Sequence, residues 1–249
     1  MLGVMLTPAL AVGAALVAFA FALMTFERWL VRRSPQDFAW SVALLLFVGG
    51  AGSLAWGSSV GWSPLAFRLF YALGAVANVP FLAAGQLYLV VRRKTADRLM
   101  QAISLLAAFA FGVVLSAPMK TAVPRDRLPR GSELFDVAPR ILAAVGSGVS
   151  AAVILVGTVL GILRLIRTRR TAQANHEAIP ELGRRLLGLV LLAVGTVVLS
   201  LSGTLNSALG EMRAFSVTLT AGVVLLFLGF ALSSLRTHSD AGWLLRDVH

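Results

Sequence analysis

Two groups of polar residues stand inside otherwise apolar sequence and have side chains able to bind something. The first is Asn78, with Tyr71 upstream of it and Pro80 two residues on. On a helix, Arg68, Tyr71, Gly74, Asn78 and Gly85 fall along roughly one face. The second is the stripe Thr196, Ser200, Thr204 and Ser207, spaced by four, four and three and so aligned on one helical face, with Asn206 beside it. Hydroxyls and carboxamides are neutral donors and acceptors. They either bond across helices, at about 0.6 kcal/mol each, or line a cavity for a neutral or lipid-like ligand. Pro80 adds a local break, because a proline in a helix frees the carbonyl four residues back, here Val76. The candidate ligand-binding residues are therefore Asn78, Tyr71, Thr196, Ser200, Thr204 and Asn206.

Other chemistry is missing from the pattern. The chain has no cysteine, which excludes disulfides and thiolate chemistry. The three histidines, His176, His238 and His249, lie outside the apolar runs and lack metal-ligand spacing. No Asp, Glu, Lys, Arg or His lies deep in an apolar run, which argues against a carboxylate-driven carrier or a lysine Schiff base. Serines beside glycine, such as Ser147 and Ser202, have no histidine partner in those runs and read as packing positions. The expectation is a protein with no catalytic residue, no metal and no cofactor. Glu27, Asp97 and Glu211, at the borders of apolar runs, are the acids that an intramembrane enzyme would have to bring together.

The elements carrying these residues are seven uncharged stretches: Met1–Phe26, Phe38–Phe67, Leu69–Val91, Leu99–Met119, Ile141–Leu163, Leu186–Gly210 and Ala214–Leu235. A hydrocarbon core of roughly 30 Å needs about 20 apolar residues in a helix, and each stretch meets that. Of the 249 residues 58% are hydrophobic and 13% charged, and mean hydropathy is +0.85. A soluble domain carries about 25% charged residues, so the chain has too few to coat a water-facing surface. The expected fold is all-α: a seven-span membrane domain over residues 1–236 in the lipid bilayer of the cell membrane, and a short cytoplasmic tail over 237–249. The first stretch lacks a basic segment before it and is followed by Arg28, Arg32 and Arg33, the reverse of signal-peptide order.

Net charge is +11, and no nucleic-acid-binding motif accompanies it. The positive-inside rule explains it better. With the N-terminus outside, Arg28–Arg33, Arg92–Arg98, Arg164–Arg185, Arg236 and Arg246 are cytoplasmic, fifteen of the 22 Lys and Arg residues. Trp29, Trp40, Trp56 and Trp62 flank the runs as interfacial aromatics, and Pro35, Pro64, Pro118 and Pro139 mark their borders. The loop 118–139 holds four prolines and is expected to be coil. Its charges are expected to fold over the outer mouth and pair with Arg68, Arg140, Glu211 or Arg213. The segment Thr168–Gly183 reads as a polar cytoplasmic connector. In the fifth run Gly157 and Gly161 form a GxxxG pair, which either packs within the molecule or joins two copies as a homodimer.

Three stretches together carry a resemblance: Arg68-Leu69-Phe70-Tyr71 with Gly74-Ala75 and Asn78-Val79-Pro80; Arg127-Leu128-Pro129-Arg130-Gly131-Ser132-Glu133 with Arg140 and Ala143-Ala144-Val145; and Leu205-Asn206-Ser207 with Glu211 and Phe215. They resemble a group of uncharacterised actinobacterial membrane proteins with several spans, a group that brings no known activity to transfer. The helix plan is also similar to membrane sensor modules that precede histidine kinases. The expected function is a non-enzymatic sensing or interaction module for a neutral or apolar ligand or a partner. The alternative is a facilitator or transporter of a neutral solute or lipid.

The charge asymmetry predicts that single cysteines placed at Ser132 and Gln173 are labelled by a membrane-impermeant thiol reagent from opposite faces of the membrane. Labelling of both from one face contradicts the seven-span plan.

Overall fold

A computed structural model of the chain describes residues 2–172, 183–184, 186–188, 190–199 and 212–234. These residues are helical except for short connections, and no strand occurs among them. Among the described residues, five helices are long and apolar enough to cross a membrane: Pro8–Arg32, Pro35–Val60, Pro64–Val90, Arg93–Ser116 and Val137–Arg164. They belong to α1 (Leu2–Arg32), α2 (Pro35–Val60), the composite helix of α3 (Pro64–Leu69), a π-helical segment (Phe70–Ala77) and α4 (Asn78–Val90), α5 (Arg93–Ser116) and α7 (Val137–Ala172). A one-turn helix, α6 (Gly131–Leu134), lies in the long loop. Two shorter apolar helices follow, α8 (Leu186–Leu199) and Val217–Gly229 within α9 (Met212–Ser234). They fall in the sixth and seventh apolar stretches. Ser200, Thr204 and Asn206, most of the Thr168–Gly183 connector and the tail lie outside the described residues.

Local sequence sets the helix ends. Pro35 occupies the first turn of α2 behind Ser34, and Pro64 that of α3 behind Ser63, whose Oγ accepts from the Ala66 amide at 3.2 Å. Proline suits that position because its missing N–H would be unpaired there anyway. α2 stops at Gly61, whose φ of 105° is costly for any residue with a Cβ. α1 stops at Arg33 with φ 51°. Its N–H donates to the Trp29 carbonyl at 2.8 Å, and its guanidinium sits 5.2 Å from the centre of the Trp29 ring. The left-handed backbone costs about 1–2 kcal/mol and the cation–π contact offsets about 0.5–1 kcal/mol of it.

The short connections make α1, α2, the composite helix and α5 successive antiparallel neighbours. α7 packs on α4, and α9 packs on α1. Two apolar clusters result. One joins Leu54, Trp62, Phe67, Val76 and Val114 to Leu128, Leu134 and Phe135 of the long loop. The other joins Ala14, Ala18 and Phe21 of α1 to Leu44 and Phe47 of α2 and Val223 of α9, with Leu192 and Leu199 of α8 against it. Phe21 and Phe227 meet edge to face at 5.5 Å, and the Thr220 hydroxyl donates to the Leu10 carbonyl at 3.3 Å.

Four sequence expectations are corrected. The second stretch does not run to Phe67: Arg68 lies inside the third spanning helix, because its guanidinium donates to the carbonyls of Ala117 (2.8 Å) and Val114 (3.5 Å) at the end of α5. Those carbonyls have no partner within their own helix, and a cation is favoured there. The loop 118–139 is not all coil, since Gly131–Leu134 lies between its prolines and completes one helical turn. Its charges pair mainly with each other, Lys120 with Asp136 at 3.0 Å and Arg127 with Glu133 at 3.1 Å, while Arg68 goes to α5. Glu211 is outside the described residues. Finally, Trp62 is buried over Gly57 and Trp40 lies over Gly85 with its indole N–H donating to the Leu82 carbonyl at 3.2 Å. Both serve packing between helices, whereas Trp56 is exposed.

A Cβ on Gly85 would come within 2.1 Å of the Trp40 indole, whereas one on Gly52 meets nothing within 4 Å. Gly85→Leu is therefore expected to lower stability by about 1–3 kcal/mol, the usual overpacking cost, and Gly52→Leu to leave it within about 0.5 kcal/mol. Thermal unfolding of the two variants in the same detergent checks this.

Candidate functional site

Asn78 lies at the middle of the 27-residue helix Pro64–Val90. The helix is not regular there. Phe70–Ala77 is wound as a π-helix, and the Asn78 amide donates to the Leu73 carbonyl five residues back. π-turns are rare and collect at functional sites. Pro80 follows and contributes no amide. The Val76 carbonyl, which such a proline frees, lies against Gly146 of α7: a Cβ on Gly146 would stand 3.6 Å from that oxygen and 3.8 Å from Pro80 Cγ. On the other side α2 approaches bare backbone, a Cβ on Gly50 coming within 3.1 Å of Gly74. Asn78 is thus held in register between the Gly50–Gly74 contact and the Trp40–Gly85 contact.

The Asn78 side chain is 5% exposed, and its Oδ1 is buried with no hydrogen-bond partner among the described residues. A buried carboxamide oxygen without a donor costs about 1–3 kcal/mol. The interhelical bond expected for this residue is not made by that oxygen. What the position offers is one strong acceptor, fixed by a helix whose winding is already irregular.

The other sequence candidates are placed elsewhere. Tyr71 belongs to the aromatic cluster under the long loop, 5.2 Å from Phe135 and 5.8 Å from Phe67, and its ring fills the space over Gly131. It stands seven residues before Asn78, about 10 Å along the helix axis. Thr196 is buried and its hydroxyl donates to the Leu192 carbonyl of its own helix at 2.8 Å. That face of α8 also carries Leu192 and Leu199, which pack on the α1–α2–α9 cluster. Gly157 is filled from within the chain: a Cβ there would lie 2.7 Å from Gln86 Cγ.

Three features went unread in the sequence. Asp37 is buried, accepts from the Ser34 hydroxyl and meets Arg28 at 3.2 Å, a charge contact without hydrogen-bond alignment. The spacing Ser34-x-x-Asp37 at a helix start matches a capping box, although here the Ser34 hydroxyl bonds the Asp37 carboxylate and not a backbone amide. Tyr88 donates to Asp97 at 2.9 Å across the α4–α5 turn. Gln86 is only 8% exposed and lines a cavity of about 360 Å³ between α4 and α7, with Leu87, Val90, Val149, Val153 and Gly157. Neither Asn78 nor Tyr71 lines that cavity.

Comparison with protein-family models, with curated proteins and with solved structures finds no match, so the functional argument rests on this geometry.

Asp37→Ala leaves the Arg28 guanidinium, whose side chain is 26% exposed, without its acid. A loss of about 2–4 kcal/mol is expected, below the full cost of breaking a wholly buried pair. Denaturation of the purified variant measures it, and Asp37→Asn, which keeps an acceptor for Ser34, is expected to lose less.

Proposed function

We propose that the protein is a seven-span module of the cytoplasmic membrane, N-terminus outside and tail inside, that senses or binds a neutral ligand at Asn78 and carries out no reaction. The observation that carries this is the buried, unpartnered Oδ1 of Asn78 beside a π-helical turn. An acceptor set at mid-helix fits a hydroxyl, amine or amide donor and gives no advantage to an anion. The ordered loop supports sensing over passage: Leu128, Leu134 and Phe135 are buried and form one cluster with Trp62 and Phe67 at that end of the bundle. Ligand bound at Asn78 would change the balance between π and α winding, and a change of winding rotates everything beyond it on the helix. Kinship with the actinobacterial membrane proteins that the sequence resembles belongs to this reading.

The second reading is a facilitator for a neutral solute or lipid. The break at Phe70–Pro80 favours it, since interrupted helices with polar groups at mid-membrane recur in carriers.

Replacing the unpaired oxygen by an apolar group of similar size removes a desolvation cost. Asn78→Leu is therefore expected to keep or raise the melting temperature of the ligand-free protein. A thermal-shift screen of neutral alcohols, amides, quinols and sterols against the protein in lipid nanodiscs is expected to give stabilising compounds whose effect disappears in Asn78→Leu and persists in Tyr88→Phe. A melting temperature lowered by several degrees in Asn78→Leu, or compounds that act equally on both variants, contradicts the proposal. Flux of a stabilising compound into proteoliposomes would favour the carrier reading.

A further inference from the structure

The cavity between α4 and α7 is a separate place with a different chemistry. At about 360 Å³ it falls within the range of small-ligand sites. Its walls are Leu87 and Val90 of α4 and Val149, Ala152, Val153 and Val156 of α7. Val149 and Val156 are about 60% exposed on the outer surface of the bundle, so the cavity opens sideways, where an apolar helix meets hydrocarbon. One polar side chain lies in this wall. Gln86 is more than nine-tenths buried, seated against Gly157, and its carboxamide makes no hydrogen bond to the described residues. In a hydrocarbon setting such an amide is expensive unless something polar reaches it.

Depth and charge identify what reaches it. Gln86 is four residues from the end of α4, about 6 Å along the axis, and so lies nearer the end of the spanning helix than its middle. Immediately beyond, Arg92, Arg93 and Lys94 are exposed and form no ion pair among the described residues. Acyl chain, ester carbonyl and phosphate follow each other along a lipid in the order in which the α7 valines, the carboxamide and the basic cluster follow each other toward this end of the bundle.

We infer that the α4–α7 groove is a binding site for one anionic glycerophospholipid, its acyl chain between Val149, Val153 and Val156, an ester carbonyl accepting from the Gln86 amide, and its phosphate at Arg92 and Arg93. A lipid seated there clamps α4 to α7 along the half of the composite helix away from the π segment. The site shares no residue with Asn78 and stands whether or not a ligand binds there.

Native mass spectrometry of the full chain in detergent tests it, with phosphatidylglycerol and phosphatidylcholine of identical chains as probes. Wild type is expected to retain one phosphatidylglycerol, favoured over phosphatidylcholine by about fivefold or more for a charge contact at the membrane surface. Ala152→Phe and Val156→Phe, both at exposed positions on the groove, are expected to abolish retention. Leu105→Phe, exposed on α5 and away from the groove, is expected to leave it unchanged. Gln86→Leu is expected to weaken both lipids about threefold to tenfold, the value of one hydrogen bond. Arg92→Gln with Arg93→Gln is expected to remove the preference between the lipids. Equal retention in wild type, Ala152→Phe and Val156→Phe overturns the assignment. So does equal binding of the two lipids to wild type, or displacement of phosphatidylglycerol by an equal concentration of fatty acid. Melting curves of each variant confirm that a loss of lipid is not a loss of fold.

Discussion

Close approach of helices to the bare backbone around the third spanning helix is the constraint from which the rest of the structure follows. α2 reaches it through Gly50 against Gly74 and through Trp40 laid over Gly85, and α7 reaches it through Gly146 against Val76 and through Gly157 beneath Gln86. The long loop reaches it through Gly131 under Tyr71. Lipid tails are as apolar as leucine, so burial of apolar side chains gives little drive for helices to associate in a membrane. Contact area and shape supply it instead, and glycine brings two backbones close enough for many small dispersion contacts to add up.

That packing explains why polar groups on the third helix behave differently from those on its neighbours. Thr25, Ser53, Ser58, Ser147 and Thr158 each return their hydroxyl proton to a carbonyl of their own helix. A short side chain can do this and remain indifferent to its surroundings. A carboxamide has more to satisfy, with two donors and an acceptor. Asn78 and Gln86 sit on a helix that its neighbours approach through glycine, and Gly157, which faces Gln86, offers it no side-chain partner. Tight packing and unsatisfied amides are thus two consequences of the same arrangement, and the amides are where a ligand has most to gain.

Much of this was legible in the chain. Apolar runs bounded by charge located five long helices, and prolines at 35 and 64 marked starts that the structure keeps. Reading charge as a border failed at Arg68, because an arginine near a helix end can reach the open carbonyls of the next helix and stay within the apolar run. Reading tryptophan as interfacial failed at Trp40 and Trp62, because an indole also fills the volume that a glycine leaves, and the sequence does not say which glycine faces which ring. Asn78 was visible as an amide beside a proline. That its oxygen lacks a donor was not, since this depends on what α2 and α7 bring to its level. Gln86 was overlooked because one amide near the end of an apolar run carries no periodic signal. The Ser200, Thr204 and Asn206 end of the hydroxyl stripe falls outside the described residues, so its facing partner is not defined.

The central claim is that Asn78 presents an acceptor which the protein itself does not satisfy. A density map of the protein in lipid nanodiscs, detailed enough to show ordered solvent, tests it most directly. The account predicts the π turn at Phe70–Ala77 and non-protein density within about 3.2 Å of Asn78 Oδ1, the hydrogen-bond limit. A regular α-helix through Asn78, or a protein donor already bonded to that oxygen with no space beside it, would contradict it.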